Sequence, residues 1–159
     1  MSQAGTLPCV AHAFFRAGVV IVVRHPDGEQ ILVFERAASP GSWQLPQGGL
    51  HRGETPIEGA WRELGEETGL GEADVVARAE YPEWIAYEWP DSAKERLGRD
   101  GKRLGQVQRW FLFDALDAGI EPTPDGREFG AWRWATPAEM IDHVPEWRRH
   151  AYARVLATL

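Results

Sequence analysis

Glu63, Glu66 and Glu67 stand at positions i, i+3 and i+4 of one segment, a spacing that puts three carboxylates on one side of any helix formed there. At about 100° per residue they fall within an arc of roughly 100°. Such neighbours repel, at a few tenths of a kcal/mol for each pair in an isolated helix. A hard divalent cation removes that cost, because carboxylate oxygens are the ligands such ions prefer. Magnesium keeps several waters and bridges carboxylate to phosphate, so the chemistry open to this cluster is work on phosphate groups. A solvated acidic face is the competing reading of Glu66 and Glu67 alone. The company of Gly48-Gly49, Glu54 and Arg62 weighs against it.

The helix that must carry these acids is marked at both ends. Thr55, Pro56 and Glu58 form a T-x-x-E capping box with proline at the first helical position, and Gly69 supplies the left-handed residue that closes a helix. The spacing predicts a helix of about 3 to 4 turns from Pro56 to Thr68. Ile57, Ala60, Trp61, Leu64 and Thr68 occupy another sector and are expected to face the core, with the carboxylates on a separate face. Arg62 is expected to pair with Glu54 or another glutamate and hold it in a liganding rotamer. Gly65, inside the helix, costs about 1 kcal/mol relative to alanine. It either admits close packing or has no role.

From Gly48 to Leu70 the chain reads GGLHRGETPIEGAWRELGEETGL, which matches every fixed position of the pattern G-x5-E-x7-R-E-U-x-E-E-x-G-U, U being a bulky aliphatic residue. This segment resembles the signature box of the Nudix hydrolases. The resemblance implies an α/β/α sandwich with a mixed β-sheet and a metal-dependent hydrolase of diphosphate linkages. It makes Glu63, Glu66 and Glu67 metal ligands, adds the Gly48 carbonyl as a further one, and points to Mg2+, with Mn2+ as the alternative. Arg62 joins Glu66 and Glu67 in the catalytic set.

Three further segments resemble one branch, the bacterial RNA 5′-pyrophosphohydrolases and the dinucleoside polyphosphate hydrolases. They are Trp43-Gln44-Leu45-Pro46-Gln47-Gly48-Gly49, Gly105-Gln106-Val107-Gln108-Arg109-Trp110-Phe111 and Glu128-Phe129-Gly130-Ala131-Trp132-Arg133-Trp134. Carried over, Glu128 is a distant glutamate that approaches the same metal cluster. Arg16, placed before the first strand, and Arg36 are expected phosphate contacts, Tyr87 an aromatic that stacks a base, and Trp147 with Arg148 the neighbourhood of a second nucleotide. The chain departs from the branch at Ala17-Gly18, where Pro-Asn is usual, and at Val20, where glycine is common. These departures leave the box intact and bear on substrate choice.

With 159 residues and no repeat or linker, the chain is expected to form a single domain over 1–159. Cys9 is the only cysteine, so an intramolecular disulfide is excluded and a metal site must rest on oxygen ligands. A net charge of −7 argues against a broad basic face for long nucleic acid, while leaving compact nucleotides or one RNA 5′ end as substrates. No apolar run approaches a membrane span, and the expected location is cytoplasmic. Oligomeric state is left open.

Strands are expected at Val19 to Val23 and Ile31 to Phe34, as a hairpin around His25-Pro26-Asp27-Gly28, and then near Trp43–Leu45, Val75–Tyr87, Val107–Phe113 and Ala131–Trp134. A second capping box at Thr136-Pro137-Ala138-Glu139 and a helical stretch from Glu146 to Leu159 follow. Asp91 to Gly105 reads as a loop of local charge +2, whose Arg99 and Arg103 are expected to meet polyphosphate as part of a lid. The leading function is hydrolysis of a nucleoside 5′-polyphosphate on RNA or a dinucleoside polyphosphate, water attacking phosphorus while Glu66 or Glu128 takes its proton. The alternatives are a housecleaning hydrolase of free nucleoside triphosphates and a Nudix domain that binds nucleotide without turnover.

Overall fold

The computed structural model describes residues 14–97 and 102–159, with backbone alone for 95–97. At its centre lies β1 (Phe15–Arg24), a run of β-branched residues with no side of its own to give to water. Val19, Ile21 and Val23 point into one apolar cluster, and Val20 and Val22 into another. That pattern is the mark of a strand covered on both faces. β1 runs parallel to β7 (Gly105–Ala115) over ten residue pairs, from Phe15 against Gly105 to Arg24 against Asp114.

Around this pair the sheet is completed antiparallel. β2 (Ile31–Arg36) follows β1 through the turn at Gly28, whose φ of 83° requires glycine. The two strands share only the pair Arg24 and Ile31 before parting, so the hairpin is real but short. β1 instead takes β4 (Gln47–Gly49) as a partner, and β2 takes β3 (Trp43–Gln44) and β8 (Phe129–Ala135). The expected strand from Val75 to Tyr87 is two strands, β5 (Val75–Glu80) and β6 (Ile85–Glu88), both on β7. Pro82 lies in the break between them and has no N–H for a ladder.

Helix α1 (Pro56–Thr68) covers one face with Ala60 and Leu64, against Phe111, Phe113 and Val23. The other face is covered by α3 (Pro137–His143) and α4 (Glu146–Leu156), through Met140, Tyr152 and Val155 on Trp110 and Ile31. This is the expected α/β/α sandwich with a mixed sheet. Both capping boxes form: Glu58 Oε2 accepts from the Thr55 N–H at 2.8 Å, and Glu139 Oε2 from the Thr136 N–H at 2.7 Å. No described helix is long and apolar enough to cross a membrane.

Three sequence expectations are corrected. The segment after Asp91 opens as helix α2 (Asp91–Leu97) rather than loop, with the Ala93 and Lys94 N–H groups returning to the Pro90 carbonyl. Arg16 lies inside β1, paired with Gln106, not before it. On α1, Ile57 is exposed rather than in the core, while Glu63 and Glu67 are buried against Gly48 and Gln47 of β4 and Glu66 alone stays exposed.

Candidate active site

The site is built where α1 meets β4. Arg62 anchors it: Nε and Nη2 donate to the two oxygens of Glu54 at 2.6 and 2.9 Å, and Nη1 donates to Glu63 Oε1 at 2.7 Å and Glu66 Oε2 at 3.3 Å. Nη2 also donates to the Gly49 carbonyl at 2.9 Å. One guanidinium thus ties the β4 strand and the Glu54 loop to the helix, using the fork that lysine lacks. The Glu63 carboxyl then lies so close to the Gly48 backbone that any side chain there would overlap it. A side chain at Gly49 would likewise displace the Arg16 guanidinium laid across it.

Hydrogen bonds from Arg62 hold the Glu54 carboxyl down at about 2. Such a group stabilises the fold fully above its ordinary value of 4.5, and the gain is lost as pH falls through about 2. Arg62→Lys keeps the charge but not the fork. It is expected to cost roughly 2 kcal/mol in urea unfolding at neutral pH and to flatten the acid limb of stability. A variant with wild-type stability across that range would show the pairing to be incidental.

Glu67 is 8 % exposed and accepts the Gln47 N–H at 3.0 Å. Burial pushes its carboxyl up to about 9, with Glu63, Glu128 and Asp125 pushing the same way and the Gln47 N–H pulling against them. Glu128 comes from the far end of the sheet. The Asp125 Oδ1 accepts N–H groups from Arg127, Glu128 and Phe129, which shapes the turn that presents it. Gln44 Nε2 donates to Glu128 Oε1 at 3.2 Å, and Arg36 Nη2 lies 3.3 Å from the same oxygen.

Gln44 has its orientation forced. Its Oε1 accepts from Arg148 Nη1, a group that can only donate, so its amide nitrogen must face Glu128. Gln47 and Gln108 extend this chain of side-chain amides across β7. Gln44, Gln47 and Asp125 were not singled out from sequence, although the glutamines sit in the WQLPQGG and GQVQRWF segments and Asp125 precedes a glycine as turn aspartates do.

Five of the other expected site residues line one of two cavities. Arg16 and Arg103 line a cavity of about 860 Å³ with Arg62, Glu63 and Glu66. Arg36, Trp147 and Arg148 line a second groove of about 380 Å³ with Trp43 and Gln44. Arg148 is buried with its guanidinium 4.6 Å from the centroid of the Trp147 ring. Tyr87 does not line this groove. It packs on Trp147 at 5.5 Å with its hydroxyl buried and pushed up to about 12. Arg99 lies outside the described residues. Gly65 admits ordinary packing against the Leu70 carbonyl and no tighter approach.

A model of the NUDIX domain matches residues 14–158. The chain belongs to the Nudix family. An RNA pyrophosphohydrolase of Cereibacter sphaeroides is 40 % identical, the match covering 97 % of this chain and 92 % of the relative. Nudix hydrolase 25 of Arabidopsis thaliana is 35 % identical, with 91 % and 85 % covered. Among solved structures, the E. coli dihydroneopterin triphosphate pyrophosphohydrolase superposes with a TM-score of 0.70 at 18 % identity, covering 92 % of this chain and 99 % of that one, and so shares the fold.

Nudix hydrolases generally need a divalent metal ion. The donor set here fits one. A glutamate that burial, reinforced by three nearby carboxylates, holds in its protonated form is a group that a cation would ionise. Among the described residues no three acids already converge on one point. Glu63 is instead drawn to Arg62 and Glu67 to the Gln47 N–H, each satisfied separately.

Proposed function

We propose that this Nudix hydrolase cleaves nucleoside 5′-polyphosphates, on triphosphorylated RNA 5′ ends or in dinucleoside polyphosphates. The observation that carries the reading is the adjacency of the acidic face of α1 to a large cavity bearing arginines, Arg16 and Arg103, that make no ion pair among the described residues. Carboxylates beside guanidiniums suit a metal-bridged phosphate chain better than either would suit a neutral ligand.

Glu63, Glu66, Glu67 and Glu128, with the Gly48 carbonyl, would hold Mg2+ or Mn2+. When bound, such an ion neutralises the phosphates, polarises the attacked group and lowers the pKa of water. The residues do the rest. Arg62 keeps Glu63 facing Gly48, and the Gln44 amide N–H orients the Glu128 carboxyl. The oxygen of a water bonds to phosphorus, the bond from phosphorus to the leaving phosphate oxygen breaks, and Glu66 or Glu128 takes the proton. Arg16 and Arg103, with Arg99, hold the phosphates.

The second groove suits the distal nucleotide. Arg36 joins it directly to Glu128, and Trp147 offers a half-buried ring that a base can stack on. The relative named RNA pyrophosphohydrolase supports an RNA end as substrate. The reading places the enzyme in the cytoplasm, where such substrates arise.

Hydrolysis of triphosphorylated RNA, diadenosine tetraphosphate and a nucleoside triphosphate, measured side by side, tests the substrate class. One of the first two should exceed the third in kcat/KM by about tenfold or more, since contacts remote from the reacting phosphorus are what separates them. A preference for the free triphosphate would replace this reading with housecleaning, and no turnover on any would leave a binding domain. Within the same assay, Arg99→Ala combined with Arg103→Ala should raise KM severalfold, weaken its salt dependence and leave kcat nearly unchanged. Salt profiles that track the wild type would remove both arginines from the phosphate site.

A further inference from the structure

The large cavity has a wall that the Nudix pattern leaves unspecified, the turn His51-Arg52-Gly53 between β4 and α1. The sheet supplies another part of the lining. The parallel register of Phe15 on Gly105, with the Leu104 N–H donating to the Phe14 carbonyl at 2.7 Å, brings Arg103 beside Arg16. The Leu50 N–H donates to the Ala17 carbonyl at 3.0 Å, which brings the His51–Gly53 turn into the lining of the same cavity.

The turn is fixed at both ends. Glu54 Oε2 accepts the His51 N–H at 2.9 Å, the Glu54 N–H returns to the His51 carbonyl at 3.2 Å, and Gly53 takes φ of 82°. Glu54 is in turn gripped by Arg62. Arg52 therefore projects from a closed turn, and presenting its guanidinium costs less ordering than a mobile loop would demand. Of the four arginines on this cavity, Arg62 is consumed by Glu54, Glu63 and Glu66, while Arg16, Arg52 and Arg103 make no ion pair among the described residues. In a chain of net charge −7, three unpaired arginines facing one space call for an anionic ligand there.

We propose that Arg52, on the His51–Gly53 turn, is a specificity-determining residue that contacts the phosphate farthest from the α1 carboxylates, so that the enzyme distinguishes a chain of three or more phosphates from a diphosphate. The inference rests on the reading above that this cavity takes a polyphosphate. In this proposal Arg62 and the glutamates serve the reacting end, Arg16 the strand side, and Arg52 the side of the His51–Gly53 turn. A diphosphate held at the carboxylates leaves Arg52 unsatisfied. A third phosphate gives it a charge-assisted partner.

Calorimetric titration of the full chain in magnesium buffer separates the two claims, using methylenediphosphonate and its three-phosphorus homologue, whose P–C–P bridges are not hydrolysed. Competitive binding of either probe by the wild type tests the polyphosphate reading, and failure to bind both would overturn that reading and this inference together. Arg52→Ala is expected to weaken the three-phosphorus probe about tenfold and the diphosphonate less than about twofold, with Arg52→Lys recovering most of the loss. Arg52 is exposed, so the fold should tolerate either change. Equal weakening of the two probes, or no change in either while the wild type binds both, would overturn the role of Arg52 and leave the polyphosphate reading standing.

Discussion

Glu67→Gln is expected to cut turnover by about three orders of magnitude while making the metal-free protein more stable at mildly alkaline pH. Both effects have one cause. The carboxyl is buried beside Glu63 and Glu128, so in the absence of a cation it keeps a proton up to about pH 9 that the unfolded chain releases near 4.5. Between those values the native state binds more protons than the unfolded one, and stability must fall as pH rises. Each pKa unit is worth about 1.4 kcal/mol, so the total is on the order of a few kcal/mol. Glutamine matches the shape, carries no proton to lose, and should flatten the curve. Unfolding followed by tryptophan fluorescence in chelator, from about pH 5 to pH 9, measures it. A flat wild-type curve would mean that Glu67 is ionised without metal, and a variant with wild-type turnover would remove it from catalysis.

Glu128→Ala is the second large effect, and its signature is different. Glu128 reaches the carboxylate cluster from a turn shaped by Asp125, and its orientation is imposed by Gln44 and Arg36. If it takes the proton of the attacking water, its loss should lower kcat by about 10²–10³ and leave KM within a fewfold. The same substitution at Glu66 should then show the smaller fall. A variant whose defect lies only in KM would reassign Glu128 to substrate binding and leave the proton to Glu66.

The parts of this site that lie close in sequence were legible there. Thr55, Pro56, Glu58 and Gly69 delimit α1 to the residue, because capping depends on groups within one turn. Arg62 was read as a partner of Glu54 for the same reason. The periodicity of α1 wrongly put Ile57 in the core and left the surroundings of Glu63 and Glu67 open, since a helical arc says which residues share a face and not what lies opposite that face. The opposing element is the Gln47–Gly49 strand, whose placement depends on pairing with β1. Gln44 was invisible as a positioning group because its partners, Glu128 and Arg148, lie 84 and 104 residues away. Helix α2 was missed through its charge: Lys94, Glu95 and Arg96 read as a basic loop, yet all three are good helix formers.

In the proposed function the α1 carboxylates, with a divalent cation, break a phosphoanhydride bond at a nucleoside 5′-polyphosphate. Release of pyrophosphate or phosphate from triphosphorylated RNA and of nucleotide from diadenosine tetraphosphate, followed with magnesium, in excess chelator and on magnesium restoration, tests it most directly. Product is expected from at least one substrate with magnesium, none in chelator, recovery on restoration, and no recovery in Glu67→Gln. Undiminished product in chelator, or equal rates from the wild type and Glu67→Gln, would contradict it.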